Sequence, residues 1–174
     1  SKKLNISVLV NNAAINPKMK DMEGEVLGKV EDYDIDQWNL ELKVGITGTF
    51  ICSRVFGSKM AEQKEGVIIN ISSDLALRSP DQRVYSPTGS FEDIKSFKPL
   101  GYSTVKTAVV GMTRYFSEYW GHKNVRVNAL LPGGVFNNQP KELVENVKDR
   151  TLLGRWAKVN EYNDAIVFLS SDAS

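Results

Sequence analysis

Tyr102 and Lys106, in the run Tyr-Ser-Thr-Val-Lys, are the residues whose types and spacing point most directly to chemistry. At this spacing on a helix the two side chains lie one turn apart on one face. A phenol ordinarily holds its proton to a pKa of about 10. An ammonium beside it favours the phenolate and lowers that value. Such a phenol can exchange a proton with an alcohol or carbonyl near neutral pH. The same spacing also arises on ordinary helices as an exposed ring beside a solvated amine, so the flanking residues decide between the two readings.

The elements that must hold this pair are legible from periodicity. Val8-Leu9-Val10 running into Asn11-Asn12-Ala13-Ala14 reads as a strand entering a turn. Residues 16–34 are polar and irregular. A helix is expected from Asp36 to Gln63, with Trp38, Leu42, Ile46 and Phe50 along one face. Val67 to Ile71 is a β-branched run suited to a strand covered on both sides. The proline-, glycine- and charge-rich stretch from Asp74 to Pro99 reads as loop or lid. Gly101 to Gly121 is expected to be helical, with Val105, Val109, Met112, Phe116 and Tyr119 on one face. Val125 to Leu131 reads as a third strand, ended by Pro132-Gly133-Gly134, and helices are expected at Lys141–Arg150 and Glu161–Ser170. Strands alternating with helices imply an α/β fold with a parallel sheet and right-handed crossovers. In such sheets reactive groups gather beyond the carboxyl ends of the strands. Asn11-Asn12, Ser72-Ser73 and Pro132-Gly133 each directly follow a strand run.

Composition narrows the classes of function. The 174 residues suit one domain spanning 1–174, and 41% hydrophobic with 25% charged residues is ordinary for a globular protein. A net charge of +1 supplies no electrostatic case for nucleic acid or an anionic membrane, and the apolar runs are too short to span a bilayer. Cys52 is the single cysteine, which excludes an internal disulfide and fits a reducing, cytoplasmic compartment. The single histidine, His122, has no partner at ligand spacing, so no metal site is expected.

Taken together and in this order, Asn11-Asn12-Ala13-Ala14, Ile71-Ser72-Ser73, Tyr102-Ser103-Thr104-Val105-Lys106, Arg126-Val127-Asn128-Ala129 and Pro132-Gly133-Gly134-Val135 resemble the short-chain dehydrogenase/reductase family. The resemblance runs from Val8 to Ala173. It implies a partial Rossmann-type doubly wound sheet and hydride transfer between NAD or NADP and a small alcohol/carbonyl substrate. By resemblance, Tyr102 is the proton donor or acceptor, Ser73 orients the substrate oxygen, and Lys106 tunes Tyr102 and bonds the nicotinamide ribose. Asn11, Asn12, Ala13 and Ala14 match the turn lying against the adenosine ribose. Pro132, Gly133, Val135 and Asn137 match the loop at the nicotinamide carboxamide, together with Tyr102 and Lys106. In this family the helices corresponding to Asp36–Gln63 and Gly101–Gly121 usually form a subunit interface, which implies a homodimer or homotetramer. Each helix is equally compatible with burial inside one chain.

The chain departs from the family pattern in several places. It lacks the opening Thr-Gly-x-x-x-Gly-x-Gly turn that receives the pyrophosphate. It also stops before the family's last strand, so a piece of a longer protein is expected, inactive by itself. Gly45 stands where the family usually carries an asparagine of its proton relay, and glycine inside a helix costs roughly 1 kcal/mol relative to alanine. The segment between Ser73 and Tyr102 is longer than in most relatives. Its Arg83 and Lys95 are candidates for an anionic or polyhydroxylated substrate, with solvated loop charges as the alternative. That segment and Pro132–Pro140 are similar to enzymes of bacterial surface-sugar and flagellin modification. A non-catalytic Rossmann-type binding or interaction protein is the competing functional reading.

Overall fold

The computed structural model describes residues 5–16 and 28–174. Three parallel strands form one sheet in the order β1 (Val8–Asn11), β2 (Gly66–Ile71), β3 (Val125–Leu130). The register pairs Asn11 with Asn70, and Asn70 with Ala129. Helices α1 (Ile35–Leu42) and α2 (Thr49–Gln63) lead from β1 to β2, and α3 (Leu100–Gly121) leads from β2 to β3. Helices α4 (Lys141–Lys148) and α5 (Asn163–Ser170) follow β3. The sheet, its parallel sense and the helical crossovers agree with the α/β, Rossmann-type architecture expected from the sequence. Among the described residues, no helix is long and apolar enough to cross a membrane.

Strand β2 is the centre of the sheet, and Gly66 through Asn70 are buried. That explains its unbroken apolar run, since both faces are covered by helices. Ile68 packs with Met60, Ala61, Phe116, Trp120, Val125 and Val127 in the main core cluster. Full burial of such a side chain contributes about 1.5–3 kcal/mol. Gly57 lets α2 approach α3 closely, because a Cβ there would stand 2.5 Å from the Trp120 ring.

Three sequence expectations are corrected here. The helix expected over Asp36–Gln63 is interrupted at Lys43–Gly48 by a π-helical segment. Its buried face is also not the apolar row Trp38, Leu42, Ile46, Phe50. The inward positions are Glu41, Gly45, Thr49, Ser53, Gly57, Met60 and Ala61. Small residues there allow close helix–sheet contact, and large apolar residues are left on the outer side, where Phe50 is 42% exposed. On α3 the inward aromatic is Trp120 rather than Tyr119, which is 58% exposed. The remaining elements fall where periodicity put them, with shorter α4 and α5. Of the irregular 16–34 stretch, residues 17–27 lie outside the described residues.

Candidate active site

Because the strands are parallel, their carboxyl ends share one edge of the sheet, and each ends in one of the polar motifs. Asn11 closes β1. Its side-chain amide donates to Ser53 Oγ (3.0 Å) and to Asn70 Oδ1 (2.8 Å). Asn70 in turn donates to Thr113 Oγ1 at 2.9 Å. This polar chain ties β1 and β2 to α2 and α3 below the site, and every member is partnered, as buried polar groups require.

Beyond β2, Ser72 and Ser73 divide the work. The buried Ser72 hydroxyl donates to the carbonyl of Lys106 at 2.7 Å. The Lys106 ammonium donates to the carbonyl of Ile71 at 2.8 Å. Helix α3 is thereby fastened to the strand end at the residue that carries the candidate lysine. Ser73 caps a short 3₁₀ turn, Asp74–Ala76, by accepting from the Leu75 N–H; its hydroxyl donates to Asp74 Oδ1 at 3.0 Å, and it is near enough to the Tyr102 phenol to favour its ionisation. Ser73, Tyr102 and Lys106 thus converge on one edge of the sheet.

The electrostatics differ from the sequence expectation. Burial pushes the Tyr102 phenol above its ordinary value; the Ser73 hydroxyl acts against that, and the Asp74 charge adds to it. The Lys106 ammonium lies 5.7 Å from the centre of the Tyr102 ring and is itself held down by burial. The expected lowering of Tyr102 by Lys106 is not seen: the group that lowers it is Ser73, and desolvation, which disfavours a charged phenolate, is the larger effect.

A nearer cation was missed. Lys98 Nζ sits 3.8 Å from the centre of the Tyr102 ring. It donates to Asn16 Oδ1 at 2.7 Å, and its backbone N–H donates to Gln82 Oε1 at 2.7 Å. The signal was present, because Lys98 precedes Tyr102 by the same four residues by which Lys106 follows it. Pro99 intervenes, however, and helical spacing does not apply across it. Lys98 lines an open cleft of about 1330 Å³ with Leu75, Arg78, Gln82, Phe97 and Ser103.

The 74–99 segment borders this cleft, as its composition suggested, but Arg83 and Lys95 are not among the residues that line it. Arg83 is bound through two nitrogens to Asp81, each at 2.8 Å, and stacks over Phe91. Lys95 is exposed. The segment is docked on α4: Asn146 donates to the carbonyls of Val84 (3.2 Å) and Ser86 (2.7 Å), and Arg150 pairs with Asp81 at 3.1 Å. It also brings a second phenol near the site. Tyr85 is pushed up to about 12, first by burial and then by the charges of Tyr102 and Asp74.

The Pro132 loop joins the same edge through Asp74, whose N–H donates to the carbonyl of Pro132 at 3.1 Å. Gly133 N–H donates to Tyr162 Oη at 3.0 Å. Gly134 carries no side chain because Trp156 stands 2.8 Å from where a Cβ would be. Asn137 is exposed, and its backbone N–H is bound by Gln139 Oε1 at 2.7 Å. Asn12, Ala13 and Ala14 lie exposed beyond β1, the Lys106 ammonium and the Ser73 hydroxyl lie beyond β2, and the Pro132 loop, whose Gly133, Phe136 and Asn137 N–H groups are bound within the chain, lies beyond β3. Asn11 has spent both amide hydrogens on the fold, so its part is to hold the turn. Among the described residues, no cluster of His, Cys, Asp or Glu is arranged to hold a metal.

A parallel sheet with helical crossovers defines a Rossmann-type α/β protein. The short chain dehydrogenase family model matches residues 2–91, and a model described as enoyl-(acyl carrier protein) reductase matches residues 92–174. The chain belongs to the short-chain dehydrogenase family. It is 29% identical over 173 residues to a 3-oxoacyl-[acyl-carrier-protein] reductase of Thermotoga maritima, covering 97% of this chain and 60% of that protein. It is also 29% identical to a 2-dehydro-3-deoxy-D-gluconate 5-dehydrogenase of Bacillus subtilis, covering 97% of this chain and 59% of the relative. A short chain dehydrogenase from Leptospira borgpetersenii, solved with bound NAD+, superposes with a TM-score of 0.81 at 27% identity, covering 97% of this chain and 59% of the other. The chain spans about 60% of the length of the curated relatives it matches.

Proposed function

We propose that this chain carries the catalytic part of an NAD- or NADP-dependent oxidoreductase acting on a small alcohol/carbonyl substrate, with Ser73, Tyr102 and Lys106 as its working groups. The observation that carries this reading is the convergence of Ser73 and Tyr102 beyond β2, with Lys106 on the next turn of the same helix. In the reductive direction, the Ser73 hydroxyl holds the carbonyl oxygen and Tyr102 delivers the proton to it. Lys106 and the turn at Asn12–Ala14 hold the ribose side, and the loop at Pro132, Gly133, Val135 and Asn137 holds the carboxamide side. A bound nicotinamide supplies the hydride; orientation and proton transfer fall to these residues.

A sugar-derived, polyhydroxylated substrate, of the kind handled in surface-sugar modification, is the finer proposal. It is supported by the name of the Bacillus relative, a dehydrogenase of a deoxygluconate. A homodimer or homotetramer is proposed on the exposed apolar positions Phe50, Ile51 and Val55 of α2 and Tyr115 and Tyr119 of α3.

The test is Tyr102→Phe in the protein expressed from its full coding sequence. Turnover is expected to vanish while binding of the reduced dinucleotide, read by its fluorescence, persists. Retained turnover would remove Tyr102 from its role.

A further inference from the structure

We propose that Lys98 is a second cation serving Tyr102: it holds the ring in place and stabilises the phenolate formed when the proton is given up. This deepens the reading of Tyr102 as proton donor and rests on it. The geometry is asymmetric in favour of Lys98. Its ammonium stands 3.8 Å from the ring centre, against 5.7 Å for Lys106, whose own ammonium donates to the Ile71 carbonyl. An ammonium over an aromatic face is attracted to the π electrons, and the attraction grows when the ring becomes an anion. Lys98 therefore stabilises the charged form more than the neutral form, and that difference is what shifts a proton equilibrium.

Lys98 is also preorganised. Its backbone is fixed by Gln82 and its ammonium by Asn16, each at 2.7 Å. Neither partner carries a charge, so the ammonium is not neutralised by its hydrogen bonds. Arg78 is paired with Asp74, and Lys29, Glu31 and Asp32 line the same cleft as Lys98. Asp74, beyond β2, acts on both Tyr102 and Lys98, and Tyr85 faces Tyr102 from the 74–99 segment. Glu41 of α1 and Lys106 of α3 act on Lys98 with opposite sign. Burial and Asp74 oppose ionisation of Tyr102, the Ser73 hydroxyl offsets part of this, and Lys98 is the cation placed over the ring to add to it. Burial lowers Lys98 itself to about 8, so its help is present at neutral pH and fades as the pH rises through that value.

The experiment follows ionisation of Tyr102 by tyrosinate absorbance, as the difference between each protein and its Tyr102→Phe counterpart, in protein made from the full coding sequence. Lys98→Gln removes the charge but keeps an amide able to donate to Asn16; Lys98→Met is the second neutral variant should Lys98→Gln not fold. Lys98→Arg keeps the charge. Because Lys98 is uncharged where Tyr102 titrates, the neutral variant is expected to lose about tenfold in turnover below pH 8 and to match the unsubstituted protein above it, while Lys98→Arg, charged throughout, is expected to titrate Tyr102 about one pH unit lower than either. A folded neutral variant that keeps full turnover below pH 8, or an arginine variant whose Tyr102 titrates like that of the neutral one, overturns the proposal. The titration needs no turnover, so it stands apart from the proton-donor reading, which fails separately if Tyr102→Phe stays active.

Discussion

The Ser72 hydroxyl donates to the backbone carbonyl of Lys106 at 2.7 Å. The Lys106 ammonium returns a bond to Ile71, the residue before Ser72. This reciprocal link sets the distance between the strand that ends at Ser73 and the helix that carries Tyr102. Ser72→Ala is expected to cost about 1 kcal/mol of stability, the usual worth of one buried hydrogen bond. It is also expected to lower turnover more than cofactor affinity, because it loosens the spacing of the proton donor. Denaturant unfolding and steady-state kinetics check both. A variant with normal stability and normal turnover would show the link to be incidental.

Gly45 has a packing reason that the sequence did not disclose. A Cβ there would run into the Val105 side chain on α3, and Val105 is β-branched and stiff. The Gly45 carbonyl accepts from the Thr49 hydroxyl at 2.7 Å inside the π-helical segment. Gly45→Ala gains about 1 kcal/mol in helix propensity but overpacks a filled site, at a cost of about 1–3 kcal/mol. Net destabilisation is expected, and Val105→Ala in the same protein should recover part of it. Gly45→Asn, which would rebuild the residue usual in the family, is expected to give no gain in rate. A faster Asn variant would contradict this.

The docking of the 74–99 segment on α4 depends more on Asn146 than on its ion pair. Asp81 and Arg150 are both partly exposed, at 24% and 29%, and such pairs contribute about 0–1 kcal/mol. Asn146 satisfies two backbone carbonyls, and its loss leaves both to find other partners. Asn146→Ala is expected to speed proteolytic cleavage within 74–99 and to raise KM with little change in kcat. Arg150→Ala should do less of each. Equal effects would reverse this ranking.

Alkaline stability should respond to Tyr85. Its folded-state pKa is raised from 10.0 to about 12, so the folded chain holds the phenolic proton longer than the unfolded chain does. The stability tied to that proton is intact below pH 10 and declines as the pH rises from 10 toward 12. Tyr85→Phe is expected to flatten this decline, as read by denaturation midpoints across the range. An unchanged slope would mean that Tyr85 ionises freely.

Much of this protein could be read from its residues because the signals are local. The β-branched run at Val67–Ile71, the Tyr102–Lys106 spacing and the polar residues at each strand end are each complete within a few positions. The parallel order of the strands then places those ends on one edge. What needed the tertiary structure depends on contacts between distant segments. Nothing local marks Gly45 as a place where α3 presses close, or Glu41 rather than Leu42 as an inward position. Nothing local shows that Arg83 is consumed by Asp81 while Lys98, beyond a proline, folds back over Tyr102. The acidity of Tyr102 was misjudged for the same reason. Spacing reveals a neighbouring charge, but desolvation is set by everything packed around a group, and here it is the larger effect.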